Sequence, residues 1–309
     1  MTASSAVSAL RADLQSGKPP LLQVTSVPDR QAIRAFVAEH GSLLVRGLGL
    51  RDAAETGAVF RQLGDLREEK EAFASRTFYA QGVYSASKWP ANQQMCMHHE
   101  LSYALDPPGL MLFACLVSPT TGGATPVADA AAVLAALPPE LIGRFERLGW
   151  LLVRNYNDDI GASFADAFGT EDRDAIESYC RAYEIQFEWK GGGALRTWQR
   201  RPAIVTHPRT GRRCWFNQVA FLSEWTMAPD LREYLVDEYG ADGLPFNTRF
   251  GNGDPIEADV VRVINEVYEA HTVRERWQAG DLLVVDNIRA AHGREPFEGP
   301  REVVVGLAG

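Results

Sequence analysis

The sequence has no basic cluster and no long apolar run, and these two absences exclude whole classes of function. Its 309 residues include 31 Lys and Arg against 40 Asp and Glu, which gives a formal net charge of −9. Nucleic acids and anionic membranes are therefore poor partners. No apolar stretch is long enough to cross a bilayer, and residues 1–14 lack the charged start and apolar core of a signal peptide. We expect a cytoplasmic protein that acts on a small molecule.

Cysteine is also scarce, and its spacing offers no metal or disulfide framework. None of the cysteines forms a Cys-x-x-Cys pair; they are Cys96, Cys115, Cys180 and Cys214. We expect them to be reduced, with Cys115 in the core because it lies in an apolar run. Cys96 precedes His98 by two residues, so a strand would aim both side chains at one face. A thiolate ligand is conceivable there, but we favour a non-ligand role.

The remaining composition is that of a globular protein, with 46% hydrophobic and 23% charged residues. Short helices and short strands alternate without the rhythm of a parallel α/β fold. Apolar residues at helical spacing predict helices over residues 29–40, 52–63, 138–148, 171–184, 229–240 and 256–270. Short apolar runs predict strands over residues 43–48, 110–117, 150–154, 202–206, 213–217, 281–286 and 302–307. Thr170 is the expected N-cap of the 171–184 helix.

The most informative pattern is His98-x-Glu100 together with His292 near the C-terminus. Residues two apart on a strand point to the same face, so an imidazole and a carboxylate would lie side by side. A distant imidazole can complete a set of three. Two histidines and one carboxylate on one side of a metal form the site of non-haem Fe(II) oxygenases. A His-x-Glu triplet alone occurs often by chance, so the flanking sequence has to support the assignment.

The positions of these residues also indicate a fold. Glu100 and His292 lie on strand-rich segments that are far apart in the chain. Strands that are distant in sequence but meet in space are expected in jelly rolls and other sandwich-type barrels. We predict one domain over residues 1–309, mainly β with α decoration, with a double-stranded β-helix (jelly roll, cupin-like) core. Helical insertions are expected at about residues 129–148, 171–184 and 229–271. We expect three of the other histidines to have structural roles; they are His40, His207 and His271.

Two further residues suggest a pocket for a dicarboxylate. Arg301 enters the last predicted strand after a Gly-Pro turn, and a guanidinium fork matches the two oxygens of a carboxylate. On its chemistry alone, a rim or surface arginine is an equally good interpretation. Thr125 follows the Gly122-Gly123 turn and could donate its hydroxyl to the same carboxylate. On chemistry alone, a simple turn role is preferred for this threonine.

These segments resemble the taurine-dioxygenase-like (TauD/TfdA) family of Fe(II)/2-oxoglutarate-dependent oxygenases. The matching pieces are HHELSY at residues 98–103, GGATP at residues 122–126, Val45-Arg46-Gly47, and the tail from Trp277 through Asp286-Asn287 and His292-Gly293-Arg294 to Gly299-Pro300-Arg301. The tail is the most specific piece. Within the family it is most similar to the branch of the syringomycin-pathway aspartyl hydroxylase. The resemblance spans roughly residues 40–305, with a looser match over residues 150–275.

The resemblance implies roles for individual residues. His98, Glu100 and His292 would be the iron ligands. Arg301 would bind the distal carboxylate of 2-oxoglutarate, and Thr125 would hydrogen-bond the same end, which reverses the preference for a turn role. His99 stands where the family often has Asn, and on a strand it would point away from the ligands. We therefore expect His99 to have a supporting or surface position. The implied cofactors are Fe(II), 2-oxoglutarate as cosubstrate, and O2.

The resemblance also implies the reaction, which is hydroxylation of an unactivated C–H bond with release of succinate and CO2. The branch suggests an amino-acid-like or natural-product intermediate, free or tethered to a carrier protein, in antibiotic biosynthesis. The candidate substrate contacts are Ser102, Tyr103, Asn217 and Arg289, although a surface-loop role is equally open for Arg289. Epoxidation or desaturation would use the same ligands. Halogenation is disfavoured because related halogenases replace the carboxylate of Glu100 with a small residue.

Two functions of other classes remain open. A cupin-like metal-binding sensor would keep the histidines without turnover. A zinc hydrolase would also use two histidines and a carboxylate. Neither needs Arg301 or a keto-acid pocket, and formation of succinate separates both from the oxygenase.

Overall fold

The computed structural model describes residues 10–71, 73, 76–156 and 160–309. Over these ranges, eight α-helices decorate a mainly β architecture. The helices are α1 (Arg30–His40), α2 (Ala53–Leu63), α3 (Ala130–Ala136), α4 (Pro139–Leu148), α5 (Phe164–Phe168), α6 (Arg173–Ala182), α7 (Pro229–Tyr239) and α8 (Ala258–Ala270). Two short 3-10 helices span Gly191–Gly193 and Glu224–Thr226.

The strands are short and almost all pair antiparallel. Those of the first half are β1 (Leu21–Gln23), β2 (Ser42–Arg46), β3 (Phe78–Ala80), β4 (Val83–Ser85), β5 (Met95–His98), β6 (Leu110–Val117), β7 (Thr121–Gly122), β8 (Val127–Asp129) and β9 (Trp150–Tyr156). Those of the second half are β10 (Gln186–Trp189), β11 (Leu195–Arg201), β12 (Ile204–Thr206), β13 (Arg213–Trp215), β14 (Phe246–Phe250), β15 (Thr272–Val273), β16 (Leu282–Asp286), β17 (Ala290–Arg294), β18 (Phe297–Glu298) and β19 (Glu302–Ala308).

The largest sheet has seven strands in the order β1-β2-β16-β6-β19-β4-β3. Strand β6 is apolar along nearly its whole length because both of its faces are covered. Alternate residues of a strand point to opposite faces. One face carries Leu110, Leu112 and Ala114 into a core with α1 and α2, and the other carries Met111, Phe113 and Cys115 into a second core. Burial of each large apolar side chain stabilises the fold by roughly 1.5–3 kcal/mol.

A second sheet packs over the β6 face that carries Met111, Phe113 and Cys115, which is the inner face of the sandwich. Its four strands run in the order β15-β8-β17-β5. Met97, Val127, Ala290 and Ala291 from this sheet join the same hydrophobic core as the inner face of β6. The two sheets together give the sandwich that the sequence predicts. Strands β5 and β17, which carry the two candidate histidine ligands, are therefore neighbours in the smaller sheet.

The segment between β8 and β15 contains more strand than the sequence predicts. A third sheet, in the order β10-β11-β9-β14, packs on α5 and α6 through its own small core. The insertions at 129–148, 171–184 and 229–271 do contain α3, α4, α6, α7 and α8. The N-cap prediction is wrong: α6 begins two residues later than expected, and the side chain of Asp172, not Thr170, accepts the backbone N–H groups of Asp174 and Ala175. Among the described residues, no helix has the length and apolarity needed to cross a membrane.

A buried ion pair ties the large sheet to the turn before β16. Arg46 donates to both carboxylate oxygens of Asp281, at 2.9 and 2.8 Å, and the side chains are 14% and 1% exposed. Asp281 also accepts the backbone N–H of Gln278 at 2.9 Å. Arg46 thus has a structural role, which gives a physical reason for an arginine in the Val45-Arg46-Gly47 segment.

Replacing Arg46 with methionine is expected to lower the free energy of unfolding by about 3 kcal/mol, because Asp281 would keep a buried charge without its partner. Urea unfolding measures this change. The matched control is Arg30→Met, since Arg30 pairs with an Asp65 side chain that is 84% exposed. Loss of such an exposed pair should leave the free energy of unfolding nearly unchanged. Equal effects of the two substitutions would contradict the structural role of Arg46.

Candidate metal centre and adjoining cavities

The two candidate histidines face each other across neighbouring strands. His98 is the last residue of β5, His292 is the middle residue of β17, and the two are directly paired in the antiparallel register. Their ring centroids lie 4.4 Å apart. Glu100 is not on the strand, as the alternation argument assumes, but in the turn that follows it, where Leu101 has a φ of 51°. This turn, and not a shared strand face, brings the carboxylate to the imidazoles.

The side chains of these three residues converge on one point. The Oε2 atom of Glu100 lies 3.8 Å from Nε2 of His98 and 3.5 Å from Nε2 of His292. One ligand atom from each residue lies within 4.8 Å of the other two, and all three residues are buried. His98, Glu100 and His292 thus form the one cluster of metal-ligating side chains found among the described residues.

The hydrogen bonds of His98 leave a nitrogen lone pair directed at this point. Nδ1 of His98 lies 2.8 Å from the backbone carbonyl of Cys96, which can only accept, so Nδ1 carries the proton. Nε2 is then the nitrogen that faces Glu100. Burial lowers the pKa of His292 to about 4, with a further decrease from His98, so its ring is neutral at physiological pH. Two imidazoles and a carboxylate are a donor set that fits Fe(II).

The carboxylate is held in place by an arginine that the sequence analysis missed. Nη2 of Arg76 lies 3.2 Å from Oε1 of Glu100, while Oε2 faces the histidines. Burial alone would raise the pKa of Glu100, but Arg76 and the two imidazoles hold it well below its ordinary value. The carboxylate is therefore ionised, with one oxygen bound by Arg76 and the other presented to the metal position.

Asn287 fixes the turn that carries Glu100. Its side-chain oxygen accepts the backbone N–H of Glu100 at 2.8 Å, and its amide donates to the carbonyls of Glu100 and Pro108, both at 2.9 Å. Asn287 follows β16 directly and is fully buried. The sequence shows an asparagine at the end of an apolar strand, but it does not show that this side chain binds the distant turn that carries Glu100.

His99 points away from the metal ligands, as expected from its position in the sequence. Its Nδ1 lies 2.5 Å from the carbonyl of Asn287, and its ring packs on Phe216. Burial lowers the pKa of His99 to about 3. Cys96 also lies outside the cluster of ligand atoms. His207 is a buried turn residue whose Nε2 lies 3.0 Å from Asp286.

One cavity beside the ligands is lined by a partly buried cation, Arg301. Its lining includes His292, Thr125, Arg294 and Arg301. Nε of Arg301 donates to the carbonyl of Gly123 at 3.0 Å, and no carboxylate among the described residues forms an ion pair with this arginine. Burial lowers the pKa of Arg301 to about 10, so it remains charged at neutral pH. Such a site favours an anionic ligand.

The turn at Gly122-Gly123 allows this arrangement. Gly123 has a φ of 70°, and a Cβ atom there would lie 3.2 Å from Cδ of Arg301 and 2.7 Å from Pro119. Glycine is thus required both by the backbone conformation and by the space available. Arg294, by contrast, is engaged with backbone, because it donates to the carbonyls of Trp89, Pro90 and Gln93.

A second cavity, of about 630 Å³ counted to its open mouth, lies on the other side of the ligands. It is mostly apolar, with Phe73, Trp89, Phe221, Leu222 and Phe246 among its lining residues. The ring of Phe221 stacks on His98 at a centroid distance of 4.4 Å. The two cavities share five lining residues: Arg76, Ser87, Met95, His98 and Glu100. They therefore meet at the candidate metal position.

One of the four candidate substrate residues lines a cavity beside the ligands, and the other three line neither cavity. Tyr103 lines the apolar cavity, and its hydroxyl donates to the carbonyl of Glu71 at 2.9 Å. Ser102 is buried but does not line either cavity. Asn217 supports a turn, since its side chain bonds the backbone of Ala203 and Val219.

Arg289 is a further correction. It lies outside both cavities and forms a partly buried ion pair with Asp129, the N-cap of α3. Arg289 lies in the turn between β16 and β17, where its backbone N–H donates to Asp286, and not on the strand that carries His292. Its nearness in sequence therefore did not bring it to the site.

The residues of the apolar cavity that sequence reasoning missed are mainly polar or aromatic side chains on irregular segments. They include Glu69, Phe73, Arg76 and Phe221. No periodic pattern or motif marks these positions. Gln218 also lines this cavity.

Comparisons with known proteins agree with this geometry. The family model described as "Taurine catabolism dioxygenase TauD, TfdA family" matches residues 9–307. The chain is 33% identical over 306 residues to the dapdiamide synthesis protein DdaC of Enterobacter agglomerans, covering 95% of this chain and 92% of that one. It is 29% identical over 301 residues to a clavaminate synthase-like protein of Arabidopsis thaliana, covering 93% and 87%.

The fold is similar to that of solved structures. PvcB from Pseudomonas aeruginosa superposes with a TM-score of 0.55 at 17% identity, over 95% of this chain and 86% of that one. At this level of identity the likeness concerns the fold alone. The predicted fold class, mainly β with a jelly-roll core and α decoration, is confirmed.

Proposed function

Because the chain belongs to the TauD/TfdA family of Fe(II)- and 2-oxoglutarate-dependent oxygenases, we propose that it hydroxylates an unactivated C–H bond of an amino-acid-like substrate. We further propose His98, Glu100 and His292 as the metal ligands. Arg301 and Thr125 would bind the cosubstrate carboxylate. The whole chain, residues 1–309, would act as one catalytic domain.

The observation that carries this proposal is the meeting of two chemically different cavities at one three-residue cluster. One cavity contains Arg301, a partly buried cation with no carboxylate partner among the described residues, and the other is walled mainly by aromatic and aliphatic side chains. A dicarboxylate fits the first and a largely apolar substrate fits the second. Their shared wall would bring the two molecules to opposite sides of the metal ligands.

Bound Fe(II) and 2-oxoglutarate supply the oxidation of a C–H bond by O2, with succinate and CO2 as the other products. The chain's own residues provide position. Arg76 and Asn287 orient the carboxylate and the backbone of Glu100, and the Cys96 carbonyl fixes the proton of His98 on Nδ1. Phe221, stacked on His98, and the other aromatic walls exclude water from the substrate side.

The substrate class rests on similarity and on cavity chemistry. The relative DdaC is described as a dapdiamide synthesis protein. By analogy, we propose an intermediate of natural-product biosynthesis, free or tethered to a carrier protein, as the substrate of this chain. Epoxidation and desaturation remain alternative outcomes because they would use the same ligands. A metal-binding sensor is less well supported, since it gives no reason for an uncompensated Arg301.

Product analysis under labelled O2 tests the proposal. The protein, loaded with Fe(II) and 2-oxoglutarate, is incubated with candidate substrates, and succinate and products are measured by mass spectrometry. Hydroxylation adds one labelled oxygen to the product and one to succinate. Desaturation removes two hydrogens and leaves no labelled oxygen in the product. Metal binding without any succinate formation would contradict the oxygenase function and favour the sensor.

A further inference from the structure

Gln218 presents an unused hydrogen-bond acceptor beside the substrate cavity. Its side chain is almost fully buried and lines the cavity. Nε2 donates to the backbone carbonyl of His99 at 2.9 Å, which can only accept, so the amide orientation is fixed. The remaining atom, Oε1, is buried and has no hydrogen-bond partner among the described residues. A buried acceptor without a donor is costly, so a ligand donor at this position would be favoured.

Glu69 supplies a second acceptor in the same cavity, and because burial raises the pKa of its carboxyl group, a cation beside it would favour the ionised form. Its side chain is 8% exposed, and its one ion-pair partner among the described residues is Arg76, whose Nε lies 3.1 Å from Oε2. No donor among the described residues is hydrogen-bonded to Oε1 of Glu69. Glu69 therefore keeps acceptor capacity for a ligand.

The charges around this end of the cavity favour a donor over an anion. Arg76 lies between two carboxylates, Glu69 and Glu100, at 3.1 and 3.2 Å. Its positive charge is thus already matched by two negative ones. The other lining residues are mostly apolar, so no second cation from the described residues faces the cavity. A substrate whose polar group is a sulfonate or a carboxylate alone would find acceptors where it needs donors.

We propose that the substrate carries a primary ammonium group that binds between Glu69 and Gln218, with its carbon chain directed along the aromatic wall toward His98 and Glu100. An ammonium offers three N–H donors and a positive charge, which match one amide oxygen and one carboxylate. This inference rests on the proposed function, because it names the substrate class of the same cavity. Free amino acids and carrier-bound aminoacyl groups both present such an amine.

The first test compares each free-amine probe with its acetylated form, so that the two members of a pair differ only at the amine. Three sets are used: the proteinogenic L-amino acids, their N-acetylcysteamine thioesters as mimics of a carrier-bound aminoacyl group, and the Nα-acetylated form of each. Binding to the protein with Fe(II) and 2-oxoglutarate is measured anaerobically by calorimetry, and succinate release is measured in air. At least one free-amine probe should bind, and its acetylated form should bind at least about 10-fold more weakly.

The two free-amine sets separate the two sources of the group. Binding of the thioester but not of the free acid assigns a carrier-bound substrate, and the reverse assigns a free amino acid. Equal binding of an acetylated probe and its free-amine form would overturn the ammonium site. Failure of every free-amine probe to bind would overturn it as well.

The second test uses Glu69→Gln, which removes the charge and keeps the shape. The affinity for the free-amine probe should fall about 10- to 100-fold, the loss expected for a hydrogen bond between charged groups. The control is Glu68→Gln at the adjacent exposed carboxylate, which should leave the affinity unchanged. Gln218→Met is a second variant that keeps the side-chain length, and it should weaken binding about 10-fold. Unchanged affinity in both Glu69→Gln and Gln218→Met would overturn the proposal.

The absorption of the Fe(II)–2-oxoglutarate complex separates this proposal from the proposed function. If the wild-type protein forms the complex but prefers acetylated probes, the ammonium site is wrong and the oxygenase function stands. If the wild-type protein forms no complex, the proposed function itself fails. Glu69 contacts Arg76, which in turn contacts Glu100. If Glu69→Gln does not form the complex for this reason, the probe affinity of Gln218→Met decides the test.

Discussion

Replacing His292 with alanine is expected to abolish turnover and to weaken Fe(II) binding by more than about 100-fold. Residues that only support a metal ligand typically contribute 10- to 100-fold in affinity, so loss of a ligand should exceed that range. His292 faces Glu100 and His98 from the partner strand, and no other imidazole among the described residues joins the cluster. The substitution therefore leaves two ligands where three are needed.

The measurement is anaerobic Fe(II) binding together with succinate release for wild type and variant. The matched control is His40→Ala, which removes an exposed histidine at the end of α1. Thermal unfolding of the metal-free proteins verifies that both variants fold. A His292→Ala protein that retains turnover would show that the ligand assignment is wrong.

Replacing Arg301 with alanine is expected to raise the 2-oxoglutarate concentration needed for half-maximal turnover by about 10- to 100-fold, while Fe(II) binding stays nearly intact. The range corresponds to the contribution of a charge-assisted hydrogen bond between a guanidinium and a carboxylate. Arg301 has no carboxylate partner of its own among the described residues, and it lines the cavity beside His292. On the proposed assignment, the cosubstrate therefore loses a charged contact at this end of the cavity.

A lysine at this position tests the geometry as well as the charge. Arg301→Lys keeps the charge but lacks the planar fork, so its 2-oxoglutarate requirement should fall between those of wild type and Arg301→Ala. Arg51→Ala is the control, because Arg51 is 80% exposed and, within the described part of the chain, its one ion-pair partner is Glu55 on the surface. Unchanged 2-oxoglutarate dependence in Arg301→Ala would mean that another residue binds the cosubstrate.

The sequence predicted well those parts of the structure that are determined by local pattern. Strand β6 occupies residues 110–117, as predicted, because a continuous apolar run is what a strand covered on both faces requires. Helix α1 begins next to the Asp29 cap and ends at Gly41, where φ is 84°. In both cases the residues that define the element lie within it or beside it.

The sequence was less informative where a residue's role depends on a distant partner. Glu100 reaches the histidines through a turn that Asn287 stabilises from the other end of the chain. Arg76 and Glu69 lie on irregular segments without periodicity, so nothing local marked them as parts of the site. Arg289 was selected for its nearness to His292 in sequence, but it pairs with Asp129 outside the cavities.

The most direct test of the account is an anaerobic titration of the metal-free protein with Fe(II) and 2-oxoglutarate, followed by visible absorption. We expect a weak charge-transfer band that requires both additions and that is lost in His292→Ala. In Arg301→Ala the band should need a higher 2-oxoglutarate concentration. The absence of a band in wild type, with Fe(II) shown to bind, would contradict the account, because the cavity at Arg301 would then not bind the keto acid against the metal.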